Sequence, residues 1–139
     1  MDTSALFQEA QDSNISIMYL SLSENGSMCI QSESMRYYIG MDYGVLKNES
    51  SKRVHLAHEL GHCKTGAFYN RWAARDIRQK HEHRADKWAI KKLVPKDELL
   101  KAIDSGHINI WDLAEYFNVT EDFMKKAVCW YTYGNLAVE

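Results

Sequence analysis

The segment Leu56-Ala57-His58-Glu59-Leu60-Gly61-His62 decides how this chain is interpreted. It contains the pattern HExxH, in which two histidines are four positions apart. On an α-helix such residues face the same way, one turn apart, so His58 and His62 can bind one metal ion. Glu59 is offset around the helix, and its carboxylate can reach a water molecule at that metal. We therefore predict a zinc site with Glu59 as general base.

A catalytic zinc ion needs a third protein ligand and an open fourth position. Glu82 lies 20 residues beyond His62 on a second predicted helix and is the candidate. Asp86, one turn further on, is predicted to accept the other ring N–H of His58 and so fix its tautomer. Small residues should let the two helices approach closely enough for this arrangement: Gly61, Ala85 and Ala89.

Other histidines compete for these roles. His55 shares a face with His58 and His62, but seven residues of helix place the Cα atoms of 55 and 62 about 10.5 Å apart, too far for one ion. His55 is therefore interpreted as a surface group or as a partner of the site. His81 and His83 flank Glu82 and are alternative ligands, although solvated histidines are the favoured interpretation. Four residues are candidates for transition-state or substrate contacts: His81, His83, Tyr69 and Arg71.

Composition indicates one folded domain, residues 1–139. The chain has 139 residues, of which 45% are apolar and 26% charged, which excludes a disordered chain. It begins without a signal-like segment and has no apolar run long enough to span a bilayer, so a cytoplasmic location is predicted. The three cysteines Cys29, Cys63 and Cys129 lack paired metal spacing and are interpreted as buried free thiols.

The N-terminal third is predicted to form a small antiparallel sheet after a short helix over residues 2–11. Asn25-Gly26 is a strong hairpin signal. The predicted strands are Ile15–Leu22, Met28–Gln31 and Met35–Asp42. An extended substrate is expected to pair with an exposed edge of this sheet, and the Met35–Asp42 strand is the expected edge.

The remainder is predicted to be helical. Ser50 or Ser51 can cap the HExxH helix, and a second helix should run from about Trp72 to Val94, before Pro95. Leu99, Leu100 and Ile103 indicate a short helix that closes at Gly106. Two further helices are predicted at Ile110–Phe117 and Glu121–Tyr133.

Charge is unevenly distributed although the net charge is only −2. Residues 50–96 carry 12 basic and 4 acidic groups, whereas residues 97–122 carry 1 and 7. Such runs are usually solvated helix surface, and that is the favoured interpretation. Because the basic excess surrounds the predicted site, recognition of an acidic substrate segment is the alternative.

The sequence resembles the ImmA/IrrE metallopeptidases, a gluzincin-like family of bacteria and their mobile elements. The resemblance rests on three ordered blocks: LAHELGH at 56–62, EHRADKWAIKKLVP at 82–95 and DLAEYFNVTEDFMKKA at 112–127. It implies an α+β, zincin-like fold with one Zn²⁺ per chain, and it selects Glu82 as third ligand with Asp86 as its companion. Many relatives carry a second glutamate where this chain has Arg84, which removes one alternative ligand.

The resemblance also implies a substrate: a helix-turn-helix repressor of a phage or mobile element, cleaved to release its genes. Two rival functions are weighed against this peptidase. The first is a non-catalytic zinc module that sequesters a repressor or antitoxin, and the presence of Glu59 argues against it because a structural zinc site needs no base.

The second rival is DNA binding by a helix-turn-helix-like segment at about 108–133. Its second helix begins Thr120-Glu121-Asp122, and these acidic groups would face phosphates. A packed helical hairpin is favoured instead, and we expect no direct contact with nucleic acid or membrane.

Overall fold

The computed structural model describes residues 2–22, 25–68 and 73–136, and in them it has three strands and six helices. The α+β class is confirmed, with a small sheet packed on a mainly helical body. In chain order the elements are α1 (Thr3–Asp12), β1 (Ile15–Tyr19), β2 (Ser27–Gln31), β3 (Tyr37–Met41), α2 (Glu49–Thr65), α3 (Arg75–Leu93), α4 (Lys96–Asp104), α5 (Ile110–Phe117) and α6 (Glu121–Tyr133).

The sheet is mixed, with strand order β1-β3-β2. β3 pairs with β1 in parallel, with Ile15 opposite Tyr37, and with β2 in antiparallel, with Ser27 opposite Met41. A turn in which the Ser32 amide donates to the Arg36 carbonyl (2.8 Å) joins β2 to β3. β2 therefore forms one border of the sheet.

Two predictions about this sheet are wrong. Asn25-Gly26 does not form the turn of a hairpin between β1 and β2. Instead β2 pairs with β3, and the Gly26 carbonyl accepts from the Asp42 amide (2.8 Å) at the start of that pairing. The Met35–Asp42 segment is not an exposed edge, because β3 is hydrogen-bonded on both sides. Local turn signals do not determine which strand a segment pairs with, and here the long-range pairing prevailed.

The two long helices carry the motif residues. Asn48 caps α2, its side chain accepting from the Ser51 amide (2.8 Å), two residues before the earliest predicted cap. The helix ends at Gly66 in the left-handed conformation. α3 starts at Arg75, whereas the predicted start at Trp72 lies outside the described residues. It stops before Pro95, as predicted.

α2 and α3 are in close contact at Gly61. A Cβ atom built there would lie 2.5 Å from the carbonyl oxygen of Ala85 and 3.0 Å from its Cα. Backbone atoms cannot rotate away as a side chain can, so only glycine permits this helix separation. The predicted close approach of small residues is confirmed, and it holds Glu82 of α3 beside the histidines of α2.

Gly61→Val is expected to destabilise the fold by about 1–3 kcal/mol, because overpacking forces backbone shifts. It should also weaken zinc binding, because separating the helices moves Glu82 away from the histidines. Urea unfolding and zinc titration measure the two effects. Gly66→Asn is the control, since its Cβ meets open space and Asn tolerates the left-handed conformation. Unchanged stability and zinc affinity in Gly61→Val would contradict the packing argument.

A single cluster of buried apolar side chains joins the sheet to the helices, including Leu6, Ile39, Leu56, Leu60, Ile90, Leu93 and Met124. Helices α5 and α6 pack on this body through Leu113, Phe117, Phe123 and Ala127. Cys63 is buried, whereas Cys29 and Cys129 are partly exposed, so the prediction that all three cysteines are buried holds only for Cys63. No helix of the described segments has the length and apolar character needed to cross a membrane.

Candidate metal and catalytic site

The two histidines of α2 and the glutamate of α3 converge. One ligand atom from each of His58, His62 and Glu82 lies within 4.8 Å of the others. The Nε2 atoms of the histidines are 3.2 Å apart. Glu82 Oε2 lies 2.6 Å from His58 Nε2 and 3.3 Å from His62 Nε2. The folded chain thus brings the three predicted ligands together.

Each imidazole is oriented through its other nitrogen. His58 Nδ1 lies 2.7 Å from Asp86 Oδ1, the contact predicted from the sequence. His62 Nδ1 donates to the Ala67 carbonyl, just beyond the end of α2. Because both Nδ1 atoms are engaged in this way, both Nε2 atoms face Glu82, the arrangement expected of metal-ligating histidines.

Lys126 of α6 extends this set of contacts. Its Nζ lies 3.4 Å from Asp86 Oδ2, while Oδ1 of the same carboxylate is bound to His58. Asp86 is 7% exposed, so its charge is only partly compensated by water. The C-terminal helical hairpin therefore contributes a cation to the metal-side carboxylate, a contact that sequence reasoning did not predict.

These contacts shift the pKa values of the metal-free protein. Burial opposes the charge on His58, but hydrogen bonds to Asp86 and Glu82 outweigh it and raise the pKa of His58 to about 10. Burial similarly opposes protonation of His62, yet Glu82 and the Ala67 carbonyl raise its pKa. Burial opposes ionisation of Asp86, but His58 and Lys126 lower its pKa. In the metal-free protein His58 and His62 therefore bind protons more tightly than free histidine does.

The donor set fits zinc. Two imidazole nitrogens and a carboxylate are ligands that catalytic zinc sites use, at bond lengths of about 2.0–2.2 Å. Ligands at that distance in tetrahedral geometry are about 3.4 Å from one another. The 3.2 Å between the two Nε2 atoms and the 3.3 Å between His62 and Glu82 are near this value. The fold needs only a small adjustment at Glu82 to accept the ion.

Glu59 lies on the same turn of α2 as His58 but is not one of the three clustered ligands. Glu59 is 7% exposed and borders the same cleft. Ser27 of β2 donates a hydrogen bond to Glu59 Oε2 (2.7 Å), and the Ser27 hydroxyl is also 2.8 Å from His55 Nδ1. The carboxylate is thus fixed beside the metal ligands without joining them.

The site opens into a cleft of about 980 Å³. Its walls come from the start of β2, from α2 and α3, and from the first turns of α6, including Ser27, Met28, Glu82, His83, Phe123 and Lys126. This is the upper size of ordinary ligand pockets. A chain segment can therefore reach the metal ligands from solvent.

The other candidate residues differ in where they lie relative to the cleft. His55 is a neighbour of the site, as expected, through its contact with Ser27. Of the two histidines flanking Glu82, the described residues that line the cleft include His83 but not His81. Tyr69 and Arg71 lie outside the described residues. The oxyanion-stabilising group therefore stays a prediction, with His83 the candidate that the cleft favours.

Two neighbours of the site, Ser27 and Lys126, were missed. Ser27 comes from a strand 32 residues before Glu59, and Lys126 from a helix 40 residues after Asp86. Neither belongs to a local motif, and a single sequence contains no spacing signal for such contacts. Only the packing of β2 and α6 against α2 and α3 reveals them.

One comparison with known proteins identifies a family for this chain. No curated protein matches the chain. A family model described as Peptidase_M78, IrrE N-terminal-like domain, matches residues 10–128. The match covers most of the chain, including α2, α3 and most of α6, and confirms the resemblance drawn from the three blocks. The chain therefore belongs to the IrrE N-terminal-like family of peptidases.

Proposed function

We propose that this protein is a zinc-dependent endopeptidase that cleaves a protein substrate. The observation that carries the proposal is the position of Glu59: a buried carboxylate beside a His58–His62–Glu82 cluster, in a cleft open to a chain segment. Membership of a peptidase family supports the same chemistry. A purely structural metal site would need neither the cleft nor the carboxylate.

His58, His62 and Glu82 would hold the ion, and Asp86 and the Ala67 carbonyl would keep the two imidazoles directed at it. When bound, zinc supplies a Lewis acid that polarises the scissile carbonyl and lowers the pKa of water. Glu59 takes the proton of the attacking water and later delivers it to the leaving amine. Glu59 is 7% exposed, so bulk water is largely excluded from its carboxylate.

The substrate would bind in extended form along β2. The main-chain amide of Asp42 donates to the Gly26 carbonyl, so these two residues form a hydrogen-bonded pair. Such pairs occur at every second residue of an antiparallel ladder, and Gly26, Met28 and Ile30 therefore direct their main-chain groups at β3. The N–H and C=O groups of Ser27 and Cys29 then point to the outer edge, which no strand of the described residues covers. Both residues line the cleft, so a peptide paired there would pass the metal ligands.

Charge suggests what such a peptide contains. Every residue from Arg75 to Lys80 is exposed, so the first turns of α3 project into solvent beside Glu82. Three of these six residues are basic and only Asp76 is acidic. Gln79 of this segment lines the cleft. We expect acidic residues in the part of the substrate that passes this helix.

The substrate class follows from the family resemblance. We propose a helix-turn-helix repressor of a phage or mobile element, cleaved in the cytoplasm to release its target genes. The charges at the start of α6, Glu121 and Asp122, argue against binding to DNA because they would face phosphates.

Incubating the zinc-loaded protein with a proteome-derived peptide library and identifying new termini by mass spectrometry tests the activity. We expect cleavage sites with Asp or Glu enriched on one side, which disappear on zinc chelation and return with zinc. A helix-turn-helix repressor, purified with its fold intact, is the protein substrate to test beside the library. Absence of any cleavage by fully zinc-loaded protein, with both library and repressor, would favour the non-catalytic binding module.

A further inference from the structure

The hydroxyl of Ser27 joins two residues of one face of α2. His55 and Glu59 are four positions apart, and Ser27 Oγ lies 2.8 Å from His55 Nδ1 and 2.7 Å from Glu59 Oε2. Ser27 is 6% exposed, so water hardly competes for these bonds. This serine is the first residue of β2, the strand whose outer edge borders the cleft.

The directions of the two bonds follow from counting protons. A hydroxyl has one proton to donate and can accept through its lone pairs, whereas an ionised carboxylate only accepts. If Ser27 gives its proton to Glu59, it must accept the second bond from His55. His55 must then carry its proton on Nδ1. Burial lowers the pKa of His55, although Glu59 opposes this shift, so the neutral ring required by this arrangement is favoured.

The main chain of Ser27 serves a different purpose from its side chain. By the alternation set by Gly26 and Asp42, the Ser27 N–H and C=O face the edge of β2 with which no strand of the described residues pairs. A peptide paired at this edge would therefore bind the same residue whose hydroxyl holds Glu59. Displacement of β2 relative to α2 would therefore disturb the hydrogen bond that holds the base.

We propose that Ser27 is a positioning residue. Its hydroxyl proton, directed by His55, orients the Glu59 carboxylate, and its main chain couples that carboxylate to the strand edge where the peptide binds. The coupling rests on the proposed function. Orientation of Glu59 does not, because it is a property of the folded protein alone. The two parts are therefore tested separately.

The proton arrangement is tested by long-range ¹H–¹⁵N correlation spectra of the zinc-loaded protein. We expect the His55 ring to be neutral with its proton on Nδ1, and to lose this preference in Ser27→Ala. Ser27→Thr, which keeps the hydroxyl, should retain it. A His55 ring with its proton on Nε2 in the unsubstituted protein would overturn the proposal, whatever the enzymatic activity.

The kinetic role is tested on the best-cleaved peptide of the library. Ser27→Ala should lower kcat by about 10- to 100-fold, the usual effect of removing a partner that orients an active-site group, with KM and zinc content nearly unchanged. Ser27→Thr should restore most of kcat. Ser16→Ala on β1, a half-exposed strand serine outside the cleft lining, is the control.

The outcomes separate the two proposals. Equal kcat in Ser27→Ala and the unsubstituted protein, with Glu59→Gln inactive, would overturn the positioning role and leave the peptidase intact. Full activity in Glu59→Gln would instead overturn the proposed mechanism. If urea unfolding shows that Ser27→Ala does not fold, the positioning role is tested by the kcat of Ser27→Thr and by the His55 spectrum of the unsubstituted protein.

Discussion

Glu59→Gln is expected to keep one zinc per chain and to lose cleavage by about 10²- to 10⁴-fold, the usual contribution of a general base. Glutamine has nearly the same shape as glutamate, and its carbonyl oxygen can still accept from Ser27, so the fold and the metal ligands should be undisturbed. Only the ability to take a proton disappears. Zinc content and the rate of peptide cleavage, measured on the same sample, give the result.

The control for this substitution is Glu49→Gln in the first turn of the same helix, an exposed residue remote from the cleft lining. Its rate should equal that of the unsubstituted protein. Cleavage by Glu59→Gln at more than a tenth of the normal rate would assign the base to another residue. Loss of zinc in this variant would mean that Glu59 helps to hold the ion, contrary to its position outside the ligand cluster.

His58→Ala and Glu82→Ala are each expected to weaken zinc binding by more than about 100-fold. Removing only a partner of a ligand already costs about 10- to 100-fold, so loss of a ligand itself should exceed this. Cleavage should fall with zinc content. Elemental analysis of the purified variants and competition with a chelator measure the affinity, and Glu98→Ala on α4 is the exposed-glutamate control.

Zinc binding should also depend on pH. His58 has its pKa raised to about 10 in the metal-free protein, so below that pH its proton must leave when the ion binds. Affinity should therefore fall as the pH is lowered, by about tenfold per pH unit for each displaced proton. Affinity that does not change between pH 6 and 8, at a fixed concentration of free zinc, would contradict the ligand assignment.

The candidate metal site was readily predicted from the sequence because its parts are local. His58 and His62 share one helix face through their spacing of four, and Glu82 and Asp86 do so on the next helix. Small residues at the facing positions then indicate how close the two helices come. The limits of α4, α5 and α6 were also close to those predicted, since capping residues and helix breakers act over a few positions.

The sheet was predicted less well. The strand segments were recognised, but the pairing was wrong, because β3 enters between β1 and β2 and pairs with both. Pairing is decided by which strand buries its apolar face against the helices, and that depends on the whole core. The edge strand beside the cleft is consequently β2 and not the Met35–Asp42 segment.

By itself, the sequence determined that this protein has an HExxH helix with a glutamate and an aspartate on a second helix, because spacing along a helix alone places such side chains on one face. Only the tertiary structure decided what surrounds Glu59 and Asp86. Ser27 and Lys126 reach these carboxylates from elements 32 and 40 residues away, through contacts that depend on how a strand and a helix pack and not on local spacing.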